Sequence, residues 1–420
     1  MPRRCRIRHR RSTTADASTA LPGDCPDHSV PPLLGRDAAS AGGPATRPHP
    51  RRGASVAAAA TAAVLAAGGL LGLGGCQADG DLDTANPSAI AAIPSTEPEI
   101  VPSTTSPGAA TESATLIGER SREPWSFAGR DGQRIRTTNY DIHTTIRYDQ
   151  VVDRLPLFME AALGHYRSAI IDLPPPRDPM QSFVFHDREE WEAKTVEVIP
   201  RQASQLRGLG RGGFSTRGIA VLYYLDWSGR SRDTLAIAAH EGWHQYTQTT
   251  FRDQLPLWLE EGLATYMEGH RWGGSDSPPQ FRPERNWERW STLRSVIRRD
   301  RLIPLRELVS KSPQEFLAEG KGDLLTYYAQ VWALTRFLVE YDDGRYRPAL
   351  ERVMNDAVAG TLHRTIIRSP RVAAAGGGGR AMLRSRVGPW LLLAYITEDL
   401  RAFEAEYAAY CRSLVTRRRR

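Results

Sequence analysis

Two histidines four residues apart, His240 and His244, are the residues of this chain best placed to do chemistry. On a helix that spacing puts both imidazoles on one face, about one turn apart, where two nitrogens can hold a single metal ion. Glu241 sits one residue round, within reach of a water beside the metal and off the ligand axis. That is the position of a general base. The segment Thr234–Ala239 enters this helix without Gly or Pro, and Asp233 is a possible N-cap. A catalytic metal needs a third protein ligand. Candidates lie in Pro256-Leu257-Trp258-Leu259-Glu260-Glu261-Gly262-Leu263-Ala264-Thr265-Tyr266-Met267-Glu268. Pro256 suits a first helical turn, and Gly269 can end the helix. The short link 249–254 folds this second helix back on the first. Glu261 and Glu268 share a face, and Glu260 points roughly 100° away.

These residues carry a resemblance. His240-Glu241-x-x-His244, followed after sixteen residues by Glu261-Gly262-Leu263-Ala264, resembles the gluzincin metallopeptidases. It is most similar to the aminopeptidase N-like pattern, HExxH and then N-E-G-F-A. The resemblance implies zinc held by His240, His244 and Glu261, with Glu241 as the base and peptides or proteins as substrates. It favours Glu261 over Glu260 as the third ligand. Glu268 then fits a carboxylate that orients a ligating histidine. A later family motif, Y-x-K-G-x-x-x-L-x-x-L, has a tyrosine that stabilises the oxyanion. Started at Tyr328, the motif keeps Leu338. Started at Tyr327, it keeps Leu334 and puts Phe337 in the second Leu slot. Neither register has Lys-Gly. Tyr328 is the catalytic candidate, with Tyr327 as its rival.

The span Trp125–Leu414 also resembles a bacterial HExxH domain family of unknown function in the same clan. The echoes are a strand–helix opening, LPLWLEEGLATYME, YYAQVWALTRFLVEY and a closing helix. One feature of the aminopeptidases is missing, the G-x-M-E-N-type segment whose Glu binds a free amine. Between Ile199 and His240 the acids are Asp226 and Asp233, which argues against exopeptidase action on a free N-terminus. The strand read at Gly218–Trp227 offers an alternative, binding an extended peptide by β-addition.

Stepping outward, strands are predicted at Ile135–Ile146, Gln181–Phe185 and Gly218–Trp227. Helices are predicted at Val151–Ile170, from Asp187, and at Leu235–Thr249, Leu257–Gly269, Trp287–Arg298, Thr326–Tyr341, Arg345–Ala357 and Trp390–Leu414. The expected fold is α+β, a gluzincin or thermolysin-like domain with a small mixed sheet and a helical C-terminal part. Gly208-Leu209-Gly210-Arg211-Gly212-Gly213 spells GxGxxG, but no strand precedes it and a strand follows, so it reads as a loop. Ala373–Arg380 reads as a flexible loop. His143, His165 and His186 read as ordinary core or surface residues. Trp258, Trp287, Trp290, Trp332 and Trp390 read as core. Arg298-Arg299-Asp300-Arg301 reads as a solvated helix end.

The net charge is +7. Ten arginines and four aspartates in residues 1–52 account for +6 of it, so the basic balance is poor support for a nucleic-acid partner. Residues 1–55 show no apolar periodicity and read as unstructured or as a misassigned start. Residues 56–76 read as a lipoprotein signal: Arg51-Arg52, an apolar run from Val56, then Leu73-Gly74-Gly75-Cys76, which resembles a bacterial lipobox. That resemblance implies lipidation of Cys76 and a place in the cell envelope, periplasmic or surface-facing. An uncleaved membrane anchor is the alternative. Residues 77–122 are rich in Ser, Thr and Pro and read as a tether, leaving 123–416 as the domain. Cys411 is the one cysteine in that domain, so no disulfide framework is expected. A surface-anchored binding module with an idle metal site is the rival to an enzyme.

Overall fold

The computed structural model describes residues 119–206, 212–225, 232–272 and 277–416. All of them belong to the larger of the two units into which the chain divides, Ala58–Arg420. Cys76, the apolar run, residues 77–118 of the tether and residues 208–211 of the Gly-rich segment lie outside the described residues.

The described chain is mixed α and β. Its sheet is built from β1 (Glu119–Phe127), β2 (Arg130–Thr137), β3 (Tyr140–Thr144), β4 (Met180–Phe185), β5 (Gly213–Thr216) and β6 (Ile219–Tyr223), in the order β1-β2-β3-β4-β6-β5. The central pairs β3–β4 and β4–β6 are parallel, and the outer pairs are antiparallel. The strand expected over Ile135–Ile146 is two strands, β2 and β3, antiparallel to each other with Ile135 opposite Ile142. β-Branched residues on both arms hid the turn between them. β1 begins at Glu119, ahead of the 123 boundary. It was not anticipated because its charged, half-exposed sequence lacks apolar alternation.

Helices cover both faces of the sheet. α1 (Asp149–Ser168) and α4 (Arg232–Thr250) lie on one, and α2 (Arg188–Val198) on the other, followed by the single turn α3 (Ala203–Leu206). Neighbouring residues on β4 show the division, since successive side chains leave a strand on opposite faces. Ser182 donates to Gln245 of α4 at 3.1 Å, while Phe183 lies 4.1 Å beneath the Lys194 ammonium of α2. Gln245 also donates to the carbonyls of Gln181 and Gly218, pinning α4 to β4 and β6. α4 begins at Arg232, so Asp233 falls inside its first turn and is not the N-cap. The β-addition expected on 218–227 is excluded, because β6 is paired on both sides, with β4 and with β5. The outer strand is β5, whose Ser215 carbonyl already accepts from Gln248.

After α4 come α5 (Leu257–Met267), the two-residue strands β7 (His270–Arg271) and β8 (Gln280–Phe281), and α6 (Trp287–Arg298). α7 (Leu305–Ser310), α8 (Pro313–Glu319), α9 (Lys321–Glu340) and α10 (Arg347–Ala359) follow. α5 is buried along its whole length, Glu260, Glu261 and Thr265 included, and packs between α4 and α9. Gly262 makes the second contact possible. A Cβ there would meet the Thr335 hydroxyl and stand 2.9 Å from the Val331 carbonyl. Gly242 does the same for α1 against α4: a Cβ would fall 2.6 Å from the Tyr166 hydroxyl, which donates to the Ala239 carbonyl.

α11 (Leu362–Arg368), α12 (Pro370–Ala374) and α13 (Gly379–Ser385) are short. Of the stretch read as a loop at Ala373–Arg380, residues 375–378 form the link between α12 and α13, and the two ends belong to those helices. The helix expected over Trp390–Leu414 is divided into a π-helical turn at Leu392–Ile396 and α14 (Leu400–Thr416). Asp399 caps α14, accepting from the Arg401 and Ala402 amides. Trp258 and Trp332 are core, as expected. Trp287 is not: it is 48% exposed, because its face of α6 lies opposite the buried Arg289, Leu293 and Val296. Trp290 and Trp390 are half-buried. Cys411 is a buried free thiol.

Candidate metal centre

The centre is built from two facing helices. α4 carries His240, Glu241 and His244, and α5 carries Glu260, Glu261 and, at its C-terminal cap, Glu268. One turn of helix separates the two imidazoles, whose centroids are 4.9 Å apart. Across the gap, Oε2 of Glu261 lies 3.3 Å from Nε2 of His240 and 3.6 Å from Nε2 of His244. Ligand atoms of His240, His244 and Glu261 all lie within 4.8 Å of one another, close enough to share one cation. These three side chains are at most 1% exposed. Both Nε2 atoms and both Glu261 oxygens have no hydrogen-bond partner. Buried polar groups are normally satisfied, so four orphaned atoms gathered in one place fit a set of ligands for a cation.

The opposite side of each imidazole is fixed by a carboxylate. Nδ1 of His240 donates to Oε1 of Glu268 at 2.7 Å, and Nδ1 of His244 donates to Oε1 of Glu260 at 3.0 Å. With a proton on Nδ1, each ring presents the Nε2 lone pair to the centre. Glu268 was expected in this role. Glu260 was read only as pointing away from Glu261. That direction is what brings it to His244, and the Thr247 hydroxyl donates to the same oxygen at 2.7 Å.

Behind Glu268 stand residues with no motif to announce them. Arg289 donates to both its oxygens, at 2.8 and 3.1 Å, and Asn286 donates to Oε2 at 2.6 Å. Arg289 is 2% exposed. Asn286 is also the N-cap of α6, accepting from the Arg289 amide.

Electrostatics follow from burial and these partners. Burial pushes Glu241 up to about 7, against the pull of His240, His244 and the Ser215 hydroxyl. Ser215 of β5 donates to Oε2 of Glu241 at 3.0 Å and to its carbonyl at 2.8 Å, and Oε1 has no partner. Burial thus makes Glu241 easier to protonate than a free carboxyl, the property a group needs to take and return a proton. For Glu261 burial acts upward, but His244 and His240 outweigh it and hold the carboxyl down at about 2. Glu268 is likewise held at about 2, burial being overcome chiefly by Arg289. Burial alone would lower His244, but Glu261 and Glu260 raise it to about 10. His240 is raised by Glu261 and Glu268, again against burial.

Both tyrosine candidates lie on the α9 face that Gly262 admits. The Tyr328 ring is 6.2 Å from the His240 ring and 5.2 Å from the Arg289 guanidinium carbon. The Tyr327 hydroxyl is buried without a partner. Burial and then the Glu261 charge push both phenols well above 10, so each stays a hydrogen-bond donor.

Among the described residues no helix is long and apolar enough to cross a membrane. No curated protein and no solved structure matches the chain. One family model, described as "Protein of unknown function (DUF1570)", matches residues 234–356, which run from α4 through α9 into α10 and leave out the whole six-stranded sheet.

Proposed function

We propose that the protein is a zinc-dependent hydrolase of peptide bonds, of gluzincin type, acting on peptides or proteins in the cell envelope. The observation that supports this reading most is the convergence of unpartnered Nε2 and carboxylate atoms beside a carboxyl held near 7. Two imidazoles and one carboxylate are the donor set of a catalytic zinc, and the residues present fit it. Zinc held there would act as a Lewis acid, acidifying water and polarising a carbonyl.

The chain's own residues supply the rest. Glu241 takes a proton from the attacking water as oxygen adds to the carbonyl carbon. It then delivers that proton to the leaving amine as the C–N bond breaks. Ser215 holds Glu241 in place and leaves Oε1 free for the exchange. Tyr328, or Tyr327 in its stead, donates a hydrogen bond to the developing oxyanion. Glu268 and Glu260 keep the imidazoles in their ligating tautomer. The missing amine-binding glutamate favours action away from a free N-terminus. Lipidation of Cys76 and attachment to the cell envelope belong to the same reading, with Cys76→Ala expected to release the protein from membranes. A nucleic-acid substrate does not.

The test is metal analysis together with cleavage of a peptide library by wild type and Glu241→Gln. One zinc per chain in both, with cleavage only by wild type, supports the proposal. A second reading is favoured by the burial of every group at the centre: a binding module whose metal is structural and idle. Zinc bound without cleavage by wild type would establish that reading instead.

A further inference from the structure

The exposed face of α6 has no part in the metal centre. On the helical wheel Trp287, Ser291, Arg294 and Arg298 fall within about 60° of one another, opposite the buried Arg289, Leu293 and Val296. Glu288, the one acid of this helix, is turned roughly 100° from Trp287. Trp287 stacks on Trp290 at 4.8 Å and 22°, and the Arg294 guanidinium carbon lies 5.3 Å from the Trp290 ring centre. The result is a ladder of two indoles and a cation, with Trp287 48% exposed. The Trp290 indole N–H donates to the Leu414 carbonyl at 3.1 Å, which fixes the end of α14 beside the ladder. Exposed Arg412 lies near that end of α14.

We infer that this face, Trp287, Trp290, Arg294 and Arg298 of α6 with Arg412 of α14, docks the domain on an anionic lipid surface. Indoles settle at the headgroup level of a bilayer, with the ring in the apolar layer and the N–H bonded. Arginines around them meet acidic headgroups, each worth about fivefold in partitioning. Charge complementarity therefore selects the occupant. A single-stranded nucleic acid would need open aromatic faces for its bases, and the Trp290 ring is already engaged by Trp287 and Arg294.

The test follows hydrogen exchange of the full chain with vesicles of neutral lipid and with vesicles about one-third anionic. Peptides covering 285–301 and 410–416 are expected to be protected by the anionic vesicles alone. That protection is expected to fade as salt shortens the Debye length from about 10 Å toward 3 Å. Arg294→Glu with Arg298→Glu should weaken it at least about tenfold in lipid concentration, and Trp287→Ser should weaken it in the same peptides. Both changes are on the exposed face, so zinc content and peptide cleavage should be unchanged, which separates this test from that of the hydrolase reading. Equal protection by both vesicle types, or none by either, overturns the inference. So does protection by a single-stranded oligonucleotide that anionic vesicles do not reproduce.

Discussion

Replacing Glu268 by Gln separates what the centre needs for metal from what the fold needs for stability. Glu268 does two jobs: it orients His240 through Nδ1, and it neutralises Arg289, which is 2% exposed. The amide keeps the shape but removes the charge. Arg289 is then a buried cation that has lost its hydrogen-bonded counter-ion, with Glu288 the remaining acid acting on it, a defect that costs about 3–5 kcal/mol when one partner of a buried pair is lost. For a domain of this size that is a fall in Tm of roughly 6–15 °C. Loss of the carboxylate behind a ligating histidine should weaken metal binding about 10–100-fold. The double change Glu268→Gln with Arg289→Met removes the stranded charge, so most of the lost stability returns and the metal affinity does not. Glu260→Gln is the contrast. Its carboxylate accepts from His244 and Thr247, and among the described residues no arginine or lysine is within ion-pair distance, Arg386 feeling it only at longer range, so the expected loss is about 1 kcal/mol, with a similar weakening of metal binding. Urea unfolding with a chelator present gives the stabilities, and competition with a fluorescent zinc indicator gives the affinities. Two results would refute the reasoning: wild-type affinity in Glu268→Gln, or a double variant no more stable than the single one.

Gly262→Ala drives a methyl toward the Val331 carbonyl and the Thr335 hydroxyl. It should destabilise by about 1–3 kcal/mol and lower activity by displacing α9, with thermal melting and kcat as the measurements. In the absence of metal, His244 is raised to about 10, so its contribution to stability is complete below about 6.5 and is lost as pH rises toward 10. Glu261, depressed to about 2, contributes above about 4.5 and loses that contribution as pH falls toward 2. Chelated protein should therefore melt at a maximum between these limits, and zinc uptake at pH 7 should release at least one proton, measurable by calorimetry in two buffers. Tyr328→Phe should lower kcat by about 100-fold or more with KM little changed, as removal of an oxyanion donor does. If Tyr327→Phe has that effect instead, the assignment passes to Tyr327.

The parts of the centre that could be read from the sequence were those governed by helical period. His240 and His244 needed one helix, and Glu261 and Glu268 needed a second one of known start and direction. Glu260 shows the limit of that reasoning. Its angle from Glu261 was right, but a wheel for one helix does not say which neighbour stands on the other side. Asn286 and Arg289 come from a third element, joined to α5 by two tiny strands and a turn, and nothing in their local sequence marks them as partners of Glu268. In the sheet, β4 and β6 were legible as compact apolar runs. β1 was hidden by its charges, and β5 by its four residues beside a glycine-rich run. The break ahead of α14 depends on Asp399 acting as a cap, which a long apolar-periodic stretch obscures.

The burial of the three candidate ligands also governs how an ion enters and leaves. Groups at most 1% exposed would give a cation to solvent most readily when the packing of α4, α5 and α9 opens locally, the same opening a peptide would need to reach Glu241. Loading would then belong to the folding of the chain, and unloading would keep time with its opening. A chelator should strip the protein at a rate independent of chelator concentration, and every contact that tightens the helix triad should lengthen the residence of the ion.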